Sequence, residues 1–316
     1  MPGKRSIVEL VNSASSSDTN DLWMQYMREG DFENAWLLSD AVLKSRAGQS
    51  YWHLPRHFQP IWNGESLNDK TVLVRCYHGL GDTIQFTRFM PLLKSIAKKV
   101  IVWAQPELLG LLHSVKGIDQ LLPLHNGTPE VAYDAEVEIM ELTHVFRSTI
   151  KTIPAKIPYL EVEPLQLSKE KKFSVGLVWK AGNWDEKRNI PFTVLSPLTK
   201  ITGMQLYVMQ ANVKEAGWQE GFGVYPGEFN LDNYARVLRG LNLLITVDSM
   251  PAHLAGAMGV PVWTLLPAEA DWRWMEKRQD SPWYPSMRLF RQSENGNWEK
   301  VIEVVVEELK RLVAGC

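Results

Sequence analysis

One stretch of the chain has the pattern of a strand, a tight turn, a short helix and a second strand. Residues 243–247 and 262–266 are uninterrupted apolar runs, which are typical of parallel strands buried on both faces. Between them, Ser249 is placed to cap a helix and Gly259 to end it. Because parallel strands need such a crossover, the pattern predicts an α/β fold with a parallel sheet.

The same alternation of strands and helices occurs in two series. The first begins at Thr71 and the second at Ser174, with a charged, proline-marked connection between them. A chain of 316 residues also exceeds the usual size of one domain. We therefore predict two α/β domains, at residues 51–165 and 166–316. In the first, Pro91 should kink or split the helix predicted over residues 83–97.

The N-terminal part has a different pattern. Residues 1–20 lack periodicity and predict a mobile tail. Residues 21–50 carry two short amphipathic helices around the Gly30-Asp31 link, so they predict a helical hairpin that resembles one tetratricopeptide unit. One unit cannot form an array, which favours packing on the next domain over docking of a partner.

Composition excludes several classes of function. The net charge of −2 argues against nucleic-acid binding. No apolar run reaches the roughly 20 residues of a membrane span, and no signal-peptide pattern is present, although peripheral membrane contact stays open. The two cysteines, Cys76 and Cys316, predict no disulfide framework and suit the cytoplasm. No cluster of His, Cys, Asp or Glu has the spacing of metal ligands.

Candidate chemistry in the first domain lies directly after its first strand. Gly79 and Gly81 suggest a tight turn with close backbone approach, and the amides around Thr83 could face an anion. Ile84 stands where a dinucleotide fingerprint has its third glycine, so that motif is weak. Asp82 could act as a general base at the rim of the strand, or it could simply cap the helix.

In the second domain, a polar loop follows the strand at residues 174–179. Lys180 and Asn183 open this loop, and Lys187 and Arg188 follow, so cations and amides could surround a diphosphate. Two acidic neighbours largely balance the last two cations. A solvated charged loop is therefore the alternative.

Two further positions in the second domain follow strands. Gln210 is a candidate for contacting a nucleotide. Asp248 stands at the carboxyl end of a strand, where α/β sheets hold ligands. Ser249, Met250 and His253 begin the next helix, whose N-terminus attracts anions. The alternative is a structural unit with a capping Asp-Ser pair and a surface histidine.

Together these residues resemble the glycosyltransferase family that includes the bacterial heptosyltransferases, glycosyltransferase family 9, with most likeness to members fused to tetratricopeptide repeats. The resemblance covers about residues 51–312 and includes five motifs in order. They are Gly79–Pro91, Gly176–Trp179, Val247–Gly259, Asp271–Trp274 and Asp280–Pro285.

The resemblance implies a GT-B fold, in which two Rossmann-like domains face a cleft. It also implies metal-independent, inverting transfer of a hexose or heptose from a nucleotide-diphosphate sugar, with no other cofactor. Asp82 matches the base that deprotonates the acceptor hydroxyl, and Lys187, or its neighbour Arg188, matches the cation near the diphosphate. Asp248, Ser249 and His253 match the donor site. The acceptor is left open among a glycan, a lipopolysaccharide and a protein.

Two departures from the family pattern motivate a different function. Met250 stands where relatives usually carry a small residue, and only one repeat-like hairpin is present. A non-catalytic protein that binds a nucleotide sugar or a partner is therefore the rival hypothesis. A nucleotide-sugar epimerase on the same fold is a third.

Overall fold

The computed structural model describes residues 16–165, 167, 172–182 and 185–315. Most of the predicted tail, residues 1–15, lies outside the described residues, as does the candidate donor residue Asn183. Residues 16–20 are helical, so the prediction of a tail up to residue 20 is wrong for its last five positions. Those residues extend the first helix by more than a turn.

The N-terminal hairpin consists of α1, Ser16–Glu29, and α2, Phe32–Ser45. Gly30 joins them with a φ of 79°, a backbone conformation that glycine adopts readily. Trp36 in α2 donates a hydrogen bond to the Ser148 carbonyl at 2.6 Å. His144 lies 2.9 Å from the Asp40 carboxylate. These contacts pack the hairpin on the α/β part of the same unit.

The first α/β region is built on a four-stranded parallel sheet of order β3-β2-β1-β4. Its strands are β1, Thr71–Arg75; β2, Lys99–Ala104; β3, Gln120–Pro123; and β4, Ala135–Glu138. Its helices are α3, Leu80–Phe86; α4, Met90–Ile96; α5, Leu109–Leu112; and α6, Leu142–Val145. A 3-10 turn at Thr87–Phe89 separates α3 from α4, and Pro91 lies in the first turn of α4, so the predicted split is present.

The second region is a five-stranded parallel sheet of order β6-β5-β7-β8-β9. Its strands are β5, Phe173–Val178; β6, Met204–Val208; β7, Leu243–Val247; β8, Val262–Leu266; and β9, Met287–Arg291. Its helices are α7, Leu231–Arg239; α8, Met250–Ala257; and α9, Trp298–Ala314. Every residue of β7 and β8 is buried, as the apolar runs predict.

The chain divides into two compact units. The first is Met1–Ala155 with Asp271–Lys277, and the second is Lys156–Ala270 with Arg278–Cys316. The first unit thus ends before the predicted boundary at residue 165 and takes up a short segment from the second half of the sequence. That segment contains Trp272 and Trp274, which are buried and therefore serve packing.

Across the described ranges, 16–165, 167, 172–182 and 185–315, no helix is long and apolar enough to cross a membrane. In the same part of the chain, no three His, Cys, Asp or Glu side chains are grouped as ligands for a metal ion.

Candidate functional site

Three neighbouring strands of the second sheet end beside polar residues. Lys180 follows β5, Gln210 follows β6 and Asp248 follows β7, and these strands are adjacent and parallel. Gln210 accepts hydrogen bonds from the Trp179 and Lys180 amides at 3.0 and 2.9 Å. It donates to the Lys180 and Ala211 carbonyls at 3.2 and 3.0 Å. These contacts with the backbone let Gln210 shape this turn, and its contact with a nucleotide stays a prediction.

The two neighbouring cations Lys187 and Arg188 have different surroundings. Arg188 is buried, and its Nη1 donates to the Asp248 carbonyl at 2.9 Å. The Lys187 side chain is 65% exposed, and its Nζ lies 3.7 Å from Glu269. Arg188 therefore joins the polar loop to the Asp248 turn, while Lys187 keeps its ammonium in solvent. The alternative of a wholly solvated charged loop is wrong for Arg188.

The helix after β7 begins as predicted, but its cap differs. Ser249 occupies the N-cap position of α8 without making a side-chain capping bond. Its hydroxyl donates to the Val247 carbonyl at 3.1 Å instead. Asp248 is buried, and Met250 is half-buried at the first position of the helix. The predicted serine cap is thus wrong, and the Ser249 hydroxyl leaves the amides of the first helical turn to other partners.

His253 is not the surface residue that the alternative interpretation required. Its side chain is buried, and Nδ1 lies 3.0 Å from the hydroxyl of the fully buried Tyr284. A Cβ added at Gly256 would lie 2.5 Å from the Tyr284 ring. The helix therefore depends on glycine at that position for its close packing against Tyr284.

In the first unit, Asp82 lies in α3 just beyond the end of β1. Its Oδ2 accepts a hydrogen bond from the Gly79 amide at 3.0 Å, so the predicted capping role is present. Its Oδ1 forms an ion pair with the guanidinium of Arg273. Both carboxylate oxygens are held in fixed directions by these contacts.

The two glycines near Asp82 lie at the start of α3. Gly79 has a φ of −70°, and Gly81 lies inside α3, so neither uses the left-handed region open to glycine. Thr83 is fully buried, and its hydroxyl donates to the Gln105 side chain at 3.0 Å. The Thr83 amide itself donates to the Gly79 carbonyl at 3.1 Å, and an anion facing the other amides of this helix start stays a prediction.

Arg273 is the residue that sequence reasoning missed. Its guanidinium donates to Gln85 at 2.7 Å and to Asp271 at 2.8 Å, besides its bond to Asp82. It also lies 4.8 Å from the centre of the Trp272 ring, a cation–π distance. The sequence contained a signal for it, because an arginine between two tryptophans is expected to be buried with them. A buried guanidinium needs carboxylate or amide partners, which indicates a polar cluster around it.

Two further titratable groups lie near this ion pair. Burial lowers the pKa of His78. The negative charge of Asp82 raises this pKa, whereas Arg273 and His57 lower it. Burial raises the pKa of Glu138 well above its ordinary value, helped by the charge of Asp82. The His78 Nε2 lies 3.8 Å from the Glu138 carboxyl group. The end of this sheet therefore combines one fixed carboxylate with a buried acid whose neutral form is favoured.

Comparison with known proteins connects the C-terminal part of the sequence to one family. Residues 211–307 match the model of glycosyltransferase family 9 (heptosyltransferase). The matched segment contains Asp248, Ser249, Met250 and His253, as well as Arg273. Protein FlbA of Caulobacter vibrioides is 24% identical over 301 residues, covering 80% of this chain and 48% of FlbA. The chain thus spans about half the length of this curated relative.

Two solved structures share the fold. A glycosyl transferase family 9 protein from Veillonella parvula superposes with a TM-score of 0.59 at 14% identity, covering 80% of this chain and 99% of that chain. The Escherichia coli ADP-heptose lipopolysaccharide heptosyltransferase II superposes with a TM-score of 0.54 at 16% identity, covering 78% of this chain and 99% of that chain. The family resemblance inferred from sequence is confirmed for residues 211–307, while fusion to tetratricopeptide repeats stays a prediction. Residues 211–307 are therefore identified as a glycosyltransferase family 9 segment, in a chain that has the GT-B type of α/β fold of these two proteins.

Proposed function

We propose that the protein is an inverting, metal-independent glycosyltransferase that moves a hexose or heptose from a nucleotide-diphosphate sugar to an acceptor hydroxyl. The Asp248 turn carries this proposal. There the buried Arg188 guanidinium is bonded to the Asp248 carbonyl, directly before the N-terminus of α8 and within the segment that matches the family model. A cation beside a helix N-terminus is suited to a diphosphate.

The donor is assigned to the carboxyl edge of the second sheet. Its diphosphate would be held by Lys180, Lys187, Arg188 and the first amides of α8, in place of a metal ion. A cavity of about 110 Å³ beside Gln210 is lined by Tyr225, Phe229 and Tyr234, among others, and is our candidate for the nucleobase. Aromatic side chains can stack on any base, so the identity of the base stays open.

The transfer itself needs one proton acceptor and stabilisation of the leaving group. The acceptor hydroxyl gives its proton to Asp82 while its oxygen attacks the anomeric carbon of the donor sugar. The bond between that carbon and the phosphate oxygen breaks, and the electron pair leaves with the nucleoside diphosphate. Attack from the opposite face inverts the configuration, and the side-chain cations of the donor site offset the charge that develops on the leaving group.

The contacts of Asp82 are compatible with this role. Gly79 and Arg273 each occupy one direction at the carboxylate, which has about four lone-pair sites. An acceptor hydroxyl can therefore still donate to it, and the base is held in one orientation before the substrate arrives.

The proposal includes the partners and location expected from sequence. The donor is a nucleotide sugar, and the acceptor belongs to a glycan, a lipopolysaccharide or a protein. Cys76 is a free, buried thiol, which is in keeping with a cytoplasmic protein.

The test uses ADP-, GDP-, UDP- and dTDP-sugars, with binding measured by thermal shift and product configuration by NMR. With a verified donor and acceptor, Asp82→Asn should lower kcat about 10²- to 10⁴-fold while donor binding is retained. Asp31→Asn is the matched control, because Asp31 also caps a helix of this unit and should leave kcat unchanged. Turnover of Asp82→Asn near that of the wild type would show that Asp82 is not the base.

One observation favours the rival function, a non-catalytic nucleotide-sugar-binding protein. Both oxygens of Asp82 already have protein partners, as they would in a purely structural cap. In that case nucleotide sugars should raise the melting temperature, but neither transfer nor hydrolysis should occur across the acceptors. Inverted product that disappears with Asp82→Asn would exclude this rival.

A further inference from the structure

A cavity of about 360 Å³ lies within the first unit, between the N-terminal hairpin and the carboxyl end of the first sheet. The hairpin contributes Trp23, Trp36 and Val42 to its lining, and β4 contributes its last residue, Glu138. Asn20, an exposed residue of α1, also lines it, so the cavity reaches the surface there. Its volume is within the range of small-molecule sites, roughly 300–1,000 Å³.

This cavity is next to the proposed base. His78 and Trp272 both line it. His78 precedes Gly79, whose amide donates to Asp82, and Trp272 precedes Arg273, which pairs with Asp82. A ligand in the cavity would therefore lie beside the Asp82 ion pair.

Two buried side-chain oxygens of residues that line this cavity have no hydrogen-bond partner within the part of the chain that the structure describes. They are Oε1 of Glu138, a residue only 3% exposed, and Oε1 of Gln59, a residue 9% exposed. The other Glu138 oxygen accepts from the Met140 amide at 2.7 Å. Unpartnered buried polar atoms are costly and rare in folded proteins, so two of them in one cavity indicate a polar ligand.

The two oxygens differ in what they need. The Gln59 oxygen can only accept a hydrogen bond. Burial raises the pKa of Glu138, which favours its neutral form and lets that carboxyl group donate. A ligand that both donates and accepts at neighbouring positions satisfies the pair, and hydroxyl groups do both.

The charge balance of the lining argues against an anionic ligand. Arg46 lies 3.6 Å from Glu141 and donates to the Trp62 carbonyl at 2.9 Å, so it already has partners within the protein. Burial lowers the pKa of both lining histidines, His78 and His144. The lining also contains Trp23, Trp36 and Trp272, and aromatic side chains suit the apolar faces of a ring.

We propose that this cavity binds an uncharged sugar unit of the acceptor, held by Glu138 and Gln59 and packed against the tryptophans of the hairpin. The inference rests on the proposed function, since it names the acceptor class of the same reaction. It gives the hairpin a direct part in substrate binding and favours a neutral glycan over an acceptor whose recognised sugar carries a carboxylate or phosphate.

The test measures binding of methyl glycosides to the full chain without a nucleotide sugar, by saturation-transfer NMR and calorimetry. The probes are methyl glycosides of neutral hexoses, a heptose and an N-acetylhexosamine, with methyl glucuronide and a sugar phosphate as anionic counterparts. At least one neutral glycoside should bind, and the anionic probes should bind about tenfold more weakly or not at all.

Variants locate the binding. Val42→Trp fills the cavity from the hairpin and should weaken binding at least tenfold, while Val304→Trp, at a position 52% exposed on α9, is the matched control. Glu138→Gln keeps a donor and should bind within about threefold of the wild type, whereas Glu138→Met should lose about tenfold. Because Val42→Trp leaves both polar groups in place, it also tests the site if the Glu138 variants do not fold.

The possible failures are distinguishable. Absence of binding by every neutral glycoside, equal binding of the anionic probes, or full binding by Val42→Trp would each overturn this inference, whatever Asp82→Asn does to turnover. The inference is supported if neutral glycosides bind to the wild type and bind at least tenfold more weakly to Val42→Trp. If no donor is then transferred, the proposed function fails and the cavity remains a sugar site.

Discussion

The Asp82 turn and the Asp248 turn have the same construction but expose different groups. Each follows a parallel strand and opens a short helix, α3 or α8. At Asp82 the side chain makes the contacts, since Gly79 and Arg273 both donate hydrogen bonds to the carboxylate. At Asp248 the backbone carbonyl accepts a hydrogen bond from the Arg188 guanidinium. A fixed carboxylate suits proton transfer, and a cation beside a helix start suits an anion. One local pattern therefore presents a carboxylate in one unit and a cation in the other.

The largest effect should come from breaking the Asp82 ion pair. Arg273→Gln removes the group that fixes Oδ1, and we expect kcat to fall by up to about 100-fold with little change in the KM of the donor, because small displacements of a catalytic group are costly. Steady-state kinetics with the donor and acceptor varied separately will measure this. A rise in donor KM at constant kcat would contradict a positioning role for Arg273.

The second prediction concerns packing behind the Asp248 turn. Gly256→Ala places a methyl group against the Tyr284 ring and should lower the free energy of unfolding by about 2 kcal/mol. Gly182→Ala is the control, because no described residue has an atom within 4 Å of its added Cβ, and stability should change by less than about 0.5 kcal/mol. Urea unfolding of both variants will test this, and equal stabilities would show that α8 can move away from Tyr284.

The third prediction concerns the different roles of Lys187 and Arg188, the two neighbouring cations of the polar loop after β5. Arg188→Met should lower the free energy of unfolding by about 1.5 kcal/mol, because its bond to the Asp248 carbonyl is lost from a buried site. Lys187→Met should leave stability unchanged, because this side chain is largely exposed. Calorimetric titration with nucleoside diphosphates should show weaker binding for both. Unchanged binding by Lys187→Met would leave Arg188 as the phosphate contact.

The smallest effect should be on the titration of His78. Arg273 lowers the pKa of His78 and Asp82 raises it, so Arg273→Gln should raise this pKa and Asp82→Asn should lower it further. NMR titration of the His78 ring protons will follow the change. Shifts of the same sign in both variants would mean that this imidazole does not sense the ion pair.

Much of the fold could be predicted because it depends on local patterns. Apolar runs such as residues 243–247 gave buried parallel strands, and Pro91 gave the break between α3 and α4. Gly259, with a φ of 75°, ends α8 as predicted. Each of these features follows from hydrophobic periodicity or from the backbone preferences of single residues.

At the site, sequence was least informative about where a side chain points. Ser249 has the right type for a cap, but its hydroxyl donates to the preceding strand. Thr83 lies in a polar turn by sequence, yet it is fully buried. Residue type and spacing leave such orientations open, because competing backbone partners lie equally close.

The sequence by itself determined two parallel-sheet regions, an N-terminal hairpin and the carboxyl-end positions of Asp82 and Asp248. Only the tertiary structure decided what those residues contact. Asp82 pairs with an arginine 191 positions away in sequence, and the cavity beside it combines hairpin and sheet residues that are distant in the chain. Local propensities act over a few residues, whereas such contacts arise when the chain returns to the first unit with Asp271–Lys277.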